Sequence, residues 1–227
     1  MKKITVFLMT SLIAFISYGQ TNDLESELKE INKKKDSTLK AIYHADSLKV
    51  EQQFQMQTLI TKLKPKLMFP VINAGPFSGV LPVMNPTQIP DPKLDYKLLF
   101  ELVINKPDSL SGLNADLVEI SRIINLHVAS GIPVKKIFPV IVVHGPALND
   151  FTNNTFYNEQ FKMDNPNNKL INELEALGAR FIACGQAMQI FGVPKEALLP
   201  LFKVSLTAQT VLSSYQFQGY VKMQIMQ

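Results

Sequence analysis

The chain has 227 residues, 46% hydrophobic and 19% charged, with 14 Pro, three His, one Cys and no Trp, a globular composition that excludes disordered, collagenous and disulfide-stapled architectures. Twenty-three Lys and Arg against 19 Asp and Glu give +4, and without Lys2 and Lys3 the balance is 21 against 19, too small an excess for the basic stripe that nucleic-acid binding needs. A single cysteine precludes an intrachain disulfide and a cysteine-based zinc site, and no motif calls for a metal or a cofactor.

Residues 1–19 open with Lys2 and Lys3, run through an apolar stretch from Ile4 to Ile16 and end in Ser17 and Gly19. This is the pattern of a secretory signal peptide cut at or near Gln20. A span would need about 20 apolar residues, so a retained anchor is the weaker reading. No cysteine near the cut offers a lipid attachment point. The expectation is export to a bacterial periplasm or beyond, with no transmembrane span in the mature chain.

Residues 20–64 hold no Gly or Pro and are dense in both charges. Leu24, Leu28 and Ile31, Leu39 and Ile42, and Leu59 and Leu63 fall at helical spacing, and Asp23 or Asn22 would cap the start. The reading is a solvated helix, or two, with one narrow face for a partner. Residues 65–92 carry seven of the 14 prolines, which disfavours regular helix or central strand. Yet Phe69, Val71, Ile72, Phe77, Val80 and Leu81 are apolar, so this arm should pack against the domain or a neighbouring subunit.

Residues 93–227 alternate strand and helix. Strands are expected at 96–104, 136–144, 180–184, 201–206 and 220–226. Helices are expected from Asn114 or Asp116 to Gly131, around Leu170–Leu177, from Gln186 to Phe191 and from Thr207 to Gly219. Pro139 is unusual in a strand and suits a bulge or the strand's first residues. The stretch from Gly145 to Asn168 reads as a long Asn-rich connection. In it Tyr157, Asn158 and Phe161 would line a pocket or cover the sheet edge, and Asn153-Asn154-Thr155 matches a glycosylation sequon. The alternation predicts a three-layer α/β/α sandwich around a mainly parallel sheet of about five strands. Its ligand edge is the C-terminal edge of the strands.

Two residues on that edge can do chemistry. Cys184 ends a strand where Gly185-Gln186-Ala187 begins a helix, and a helix N-terminus favours a thiolate. Gly185 would let a bound sulfur approach the backbone. His144, at the end of the preceding strand, would accept a proton or stand as a cationic neighbour. Gly145, Gly185 and Gln186 form the candidate substrate-binding set. The alternative readings are a cysteine acting as a small core hydrophobe and a histidine serving only structure. His127, within an apolar helix, reads as a satisfied core histidine. Dinucleotide, P-loop, serine-hydrolase and zincin motifs are absent.

The runs Val142-Val-His-Gly-Pro-Ala147, Asn172-Glu-Leu-Glu-Ala-Leu-Gly178 and Phe181-Ile-Ala-Cys-Gly-Gln-Ala-Met188 resemble the DsrE/DsrF-like family. Asp91-Pro-Lys-Leu-Asp-Tyr-Lys97, Gly192-Val-Pro-Lys-Glu-Ala-Leu-Leu-Pro200 and Tyr215-Gln-Phe-Gln-Gly-Tyr220 resemble its exported branch. The resemblance implies a small α/β sandwich that forms trimers or hexamers. It also implies that Cys184 matches the cysteine that carries a persulfide between donor and acceptor proteins in the sulfur-relay members. Two functions follow as expectations: an exported sulfur carrier or sulfurtransferase, or a non-catalytic oligomeric binding or assembly module of the cell envelope.

Overall fold

The computed structural model describes the backbone of residues 21–108 and 112–225; the expected signal peptide lies outside the described residues. The chain divides after Leu59 into two units. The first is dominated by α1 (Thr21–Leu63), a single helix of 43 residues, so the charged segment forms one helix rather than two. Among the described residues no helix is long and apolar enough to cross a membrane.

The second unit is built on five strands, β1 (Tyr96–Leu102), β2 (Ile137–Val143), β3 (Arg180–Cys184), β4 (Lys203–Ser205) and β5 (Val221–Lys222). All pair in parallel in the order β4-β3-β2-β1-β5. Between them lie α2 (Ala115–Ala129), α3 (Asn154–Phe161), α4 (Asn168–Ala176), α5 (Gly185–Phe191) and α6 (Ala208–Phe217). The chain steps from β1 to β4 in one direction across the sheet, then returns to β5. Right-handed crossovers therefore put α2, α4 and α5 on one face and α6 on the other. The result is the three-layer sandwich, with its apolar centre at fully buried Leu99, Phe100, Ile141, Val142 and Phe181. Strands β4 and β5 are shorter than the apolar runs that contain them, because each lies at an edge with one neighbour.

Local chemistry explains the element ends. Asn114 caps α2, its Oδ1 accepting from the amides of Asp116 and Leu117. Pro139 sits inside β2, a central strand, opposite Leu98 of β1. Pairing with β3 begins only at Val140, so position 139 has a strand neighbour on one side only. The Asn-rich connection is more ordered than its composition suggests: a 3-10 turn spans Gly145–Phe151 and α3 follows. Asparagine favours turns and caps, and here Asn153 caps α3 by accepting from the Phe156 amide while donating to the Glu196 carbonyl. The sequon asparagine is thus a structural cap.

The proline arm packs on α2. Ile72, Ala74 and Val80 are buried, and one buried side chain serves four of the arm's backbone groups. Asn125 of α2 accepts from the Val71 and Ile72 amides and donates to the carbonyls of Ile72 and Ser78. On the opposite side of the sheet, Arg180 of β3 bonds the Tyr220 hydroxyl and lies over the rings of Tyr215 and Tyr220. That cluster pins the end of α6 to the sheet.

Candidate functional site

Cys184 is the last residue of β3 and the N-cap of α5. Its side chain is 5% exposed, within the core cluster. It pairs with Ser205 of β4, and that strand comes close: a Cβ on Gly185 would lie 2.7 Å from the Ser205 carbonyl oxygen. The glycine therefore admits β4. The Gln186 amide donates to the Leu206 carbonyl at 3.1 Å, so one of the first-turn donors of α5 is taken by the chain leaving β4. Gly145 is likewise a backbone residue. It has φ +63° and a Cβ there would meet the Val103 carbonyl oxygen at 3.0 Å, a conformation and a space that only glycine fits without strain.

The register joins the two chemical candidates. Glu101, Val142 and Ile182 are aligned across β1, β2 and β3 and so share a face. Side chains alternate along a strand, so two residues further on His144 and Cys184 follow on that same face. They stand at adjacent strand ends, with strands about 4.8 Å apart. The His144 amide donates to the Leu102 carbonyl at 2.9 Å, which extends β2 by one residue. Its ring Nε2 lies 2.9 Å from Glu101 Oε1, and the other Glu101 oxygen accepts from Lys222 Nζ of β5. The Nε2 of the imidazole is engaged by Glu101, which leaves Nδ1 as the ring nitrogen that can accept a proton. Burial works to raise the Glu101 carboxyl, but hydrogen bonds from Lys222 and His144, with their charges, hold it below the usual carboxylate value. His144 thus faces a persistent carboxylate, which fixes its ring. Glu101 and Lys222 were not singled out from the sequence; the signal was a lone acid within the apolar run of β1.

A second polar cluster lies in the connections after β1 and β2. Asn114 Nδ2 donates to Asp150 Oδ2 at 2.6 Å, and the Asn114 amide donates to Asn167 Oδ1. Asn165 Nδ2 donates to the carbonyls of Asp150 and Thr152, and its Oδ1 accepts from Asn167. Asp150 is 3% exposed. Burial pushes its carboxyl up to about 6 against the Asn114 hydrogen bond, with the Asp116 charge adding to the rise. Nearby Tyr157 is raised too, by burial and by Asp150. Tyr157 is buried and stacks on Phe161 at 4.5 Å, whereas Asn158 lines an open polar cleft with Asn154, Thr155, Glu159, Lys162 and Asp164. His127 bonds the Ile123 carbonyl through Nδ1 and meets the Tyr96 ring edge-on, a structural histidine. No group of three or more His, Cys, Asp and Glu residues suited to a metal ion occurs among the described residues.

The chain thus forms a three-layer sandwich around a parallel five-stranded sheet, with Cys184 and His144 at adjacent strand ends on its carboxyl edge. The DsrE/DsrF-like family model matches residues 113–225, and the α/β unit of this chain belongs to that family. A solved structure, "Structure of Protein of Unknown Function MTH1491 from Methanobacterium thermoautotrophicum", is similar at 19% identity, covering 57% of this chain and 98% of that one with a TM-score of 0.44. No curated protein matches.

Proposed function

We propose that the protein carries sulfane sulfur on Cys184. The observation that supports this reading is the placement of Cys184 and His144 on one face at adjacent strand ends, with the imidazole held by Glu101. In the proposed step the Cys184 thiol gives its proton to His144, and the thiolate attacks the terminal sulfur of a donor persulfide. The donor's S–S bond breaks, the donor leaves as a thiolate that takes up the proton, and a persulfide forms on Cys184 without net oxidation. An acceptor thiol draws the sulfur off by the same chemistry in reverse. Burial of the sulfur would shield the persulfide from water between the two encounters. Export through residues 1–19 would place donor and acceptor in the envelope.

Intact-mass spectrometry tests both parts. Protein from the envelope fraction should begin at or near Gln20, and exposure to polysulfide should add the mass of one sulfur atom, lost on treatment with dithiothreitol. Cys184→Ser should abolish the addition, and His144→Ala should slow it by roughly a hundredfold, the lower end of general-base assistance. A wild-type thiol that stays unmodified after prolonged exposure rejects the carrier role.

A second reading, an oligomeric assembly module, is favoured by apolar side chains left open at both sheet edges. Leu206, which follows β4, is 76% exposed, and Val221 of β5 and Phe217 at the end of α6 are 62% and 90% exposed. Joining such edges between copies would give a homo-oligomer, a trimer or hexamer. The double variant Leu206→Asp with Phe217→Asp should lower the solution mass measured by light scattering while circular dichroism stays native; an unaltered mass counts against this reading.

A further inference from the structure

Helix α1 has 43 residues, about 65 Å at 1.5 Å per residue, and every side chain described from Lys29 to Leu59 is exposed. Among them Ile31 is 61%, Ile42 51% and Leu59 50% exposed. A helix draws most of its stability from packing an apolar face, and this one has an apolar seam without a described cover.

The seam has an internal order. From Leu24 it advances in alternating steps of four and three residues to Leu63, the heptad spacing of a coiled coil, through Ile31, Lys35, Ile42, Lys49 and Met56 among its positions. Read backwards, it matches itself in kind. Position 24 aligns with 63, 28 with 59 and 31 with 56, all apolar; 35 aligns with 52 and 38 with 49, all polar; 42 aligns with 45 at the centre, Ile with Ala. A parallel in-register pair would instead set Lys35 against Lys35 and Lys49 against Lys49 in the seam. The reversed pair sets Lys35 against Gln52 and Lys49 against Thr38. Charge at the ends agrees: the first turns hold Asp23, Glu25 and Glu27, and the far end holds Lys62, Lys64 and Lys66. Reversal brings opposite charges together where parallel pairing brings like ones, and flanking charges set orientation in coiled coils.

We infer that α1 is a self-recognition surface whose partner is α1 of a second copy, paired antiparallel about a two-fold axis between positions 42 and 45. The inference is independent of any chemistry at Cys184.

Site-directed cross-linking of the full chain tests it, in a Cys184→Ser background so that the only thiols are those introduced. Ile31→Cys mixed with Met56→Cys should give a disulfide-linked dimer under mild oxidation, since antiparallel pairing brings these positions within disulfide reach. Ile31→Cys alone should yield at least tenfold less. Adding Ile42→Asp to both partners should abolish the cross-link while helix content by circular dichroism is retained. Equal cross-linking by Ile31→Cys alone would mean parallel pairing and would overturn the proposal. Absence of a cross-link in every arm would mean that α1 is reserved for a different protein or for none, and would overturn it as well.

Discussion

Replacing Asn125 with alanine is expected to destabilise the α/β unit by about 3–5 kcal/mol. Asn125 is fully buried and holds four backbone groups of the proline arm: the amides of Val71 and Ile72 and the carbonyls of Ile72 and Ser78. Each buried polar group left without a partner costs about 1–3 kcal/mol. Val71 is half-buried and recovers water, which keeps the sum below its upper limit. Proline explains why so much rests on one residue. The arm has few amides able to join a ladder, and its one bridge, Met68 with Val80, is isolated, so side-chain amide bonds replace secondary structure. Leucine at 125 should be about as damaging as alanine, since it fills the volume without serving the four groups. Val83→Ala and Met84→Ala, on arm residues 75% and 83% exposed, should change stability by less than about 0.5 kcal/mol. Urea unfolding measures the difference, and hydrogen exchange at Val71 and Ile72 localises it. A loss under about 1 kcal/mol at position 125 would mean the arm is held by its apolar contacts alone.

What the sequence disclosed about this unit follows the range of the interactions involved. Asn114 was legible as a cap because its partners, the amides of Asp116 and Leu117, lie two and three residues away. The strand–cysteine–glycine–helix passage at 180–191 was legible for the same reason. Asn125 was not, because its partners are 47 to 54 residues distant and mid-helix asparagine carries no local meaning. Glu101 gains its role only once the strand order is known: the diagonal from β1 to His144 on β2 and the approach of Lys222 from β5 depend on a register that no single strand contains. Gly185 shows how one residue supports two explanations. Its lack of a side chain suits a bound sulfur, and it is also what lets the Ser205 carbonyl approach. The composition of the Gly145–Asn168 segment suggested a loop, since asparagine competes with regular backbone bonding. In the fold those same side chains cap α3 and bind one another around Asp150.

That buried carboxyl should make stability depend on pH in the direction opposite to ordinary acid denaturation. Asp150 has its proton affinity raised in the folded state, from an ordinary 3.8 to about 6, by burial first, against the Asn114 hydrogen bond and with the Asp116 charge in support. A raised carboxyl contributes stability that is full below pH 3.8 and lost as pH rises through about 6, because the folded protein must then hold a charge that the unfolded chain carries in water. At 1.36 kcal/mol per tenfold change in proton affinity, the loss amounts to roughly 3 kcal/mol at most. Asp116 is raised by burial in the same sense, whereas Glu101 is held low and gives stability that disappears as pH falls. The total curve therefore mixes signs, but the comparison with Asp150→Asn does not, since both proteins retain Asp116 and Glu101. Asparagine keeps an oxygen for Asn114 Nδ2 and never ionises. The variant should match wild type near pH 4 and exceed it by about 1–3 kcal/mol at pH 7.5, with the gap opening between pH 4 and 6.5 in urea unfolding series. Tyr157, raised in part by the Asp150 charge, should ionise at lower pH in the variant, which ultraviolet titration reads without reference to stability. A gap constant from pH 4 to 7.5 would show that Asp150 is accommodated as an ordinary carboxylate. A gap that opens as described would instead show that burial outweighs the Asn114 hydrogen bond in setting the proton affinity of Asp150, and that at neutral pH the connection after β2 carries a desolvation cost that protonation relieves.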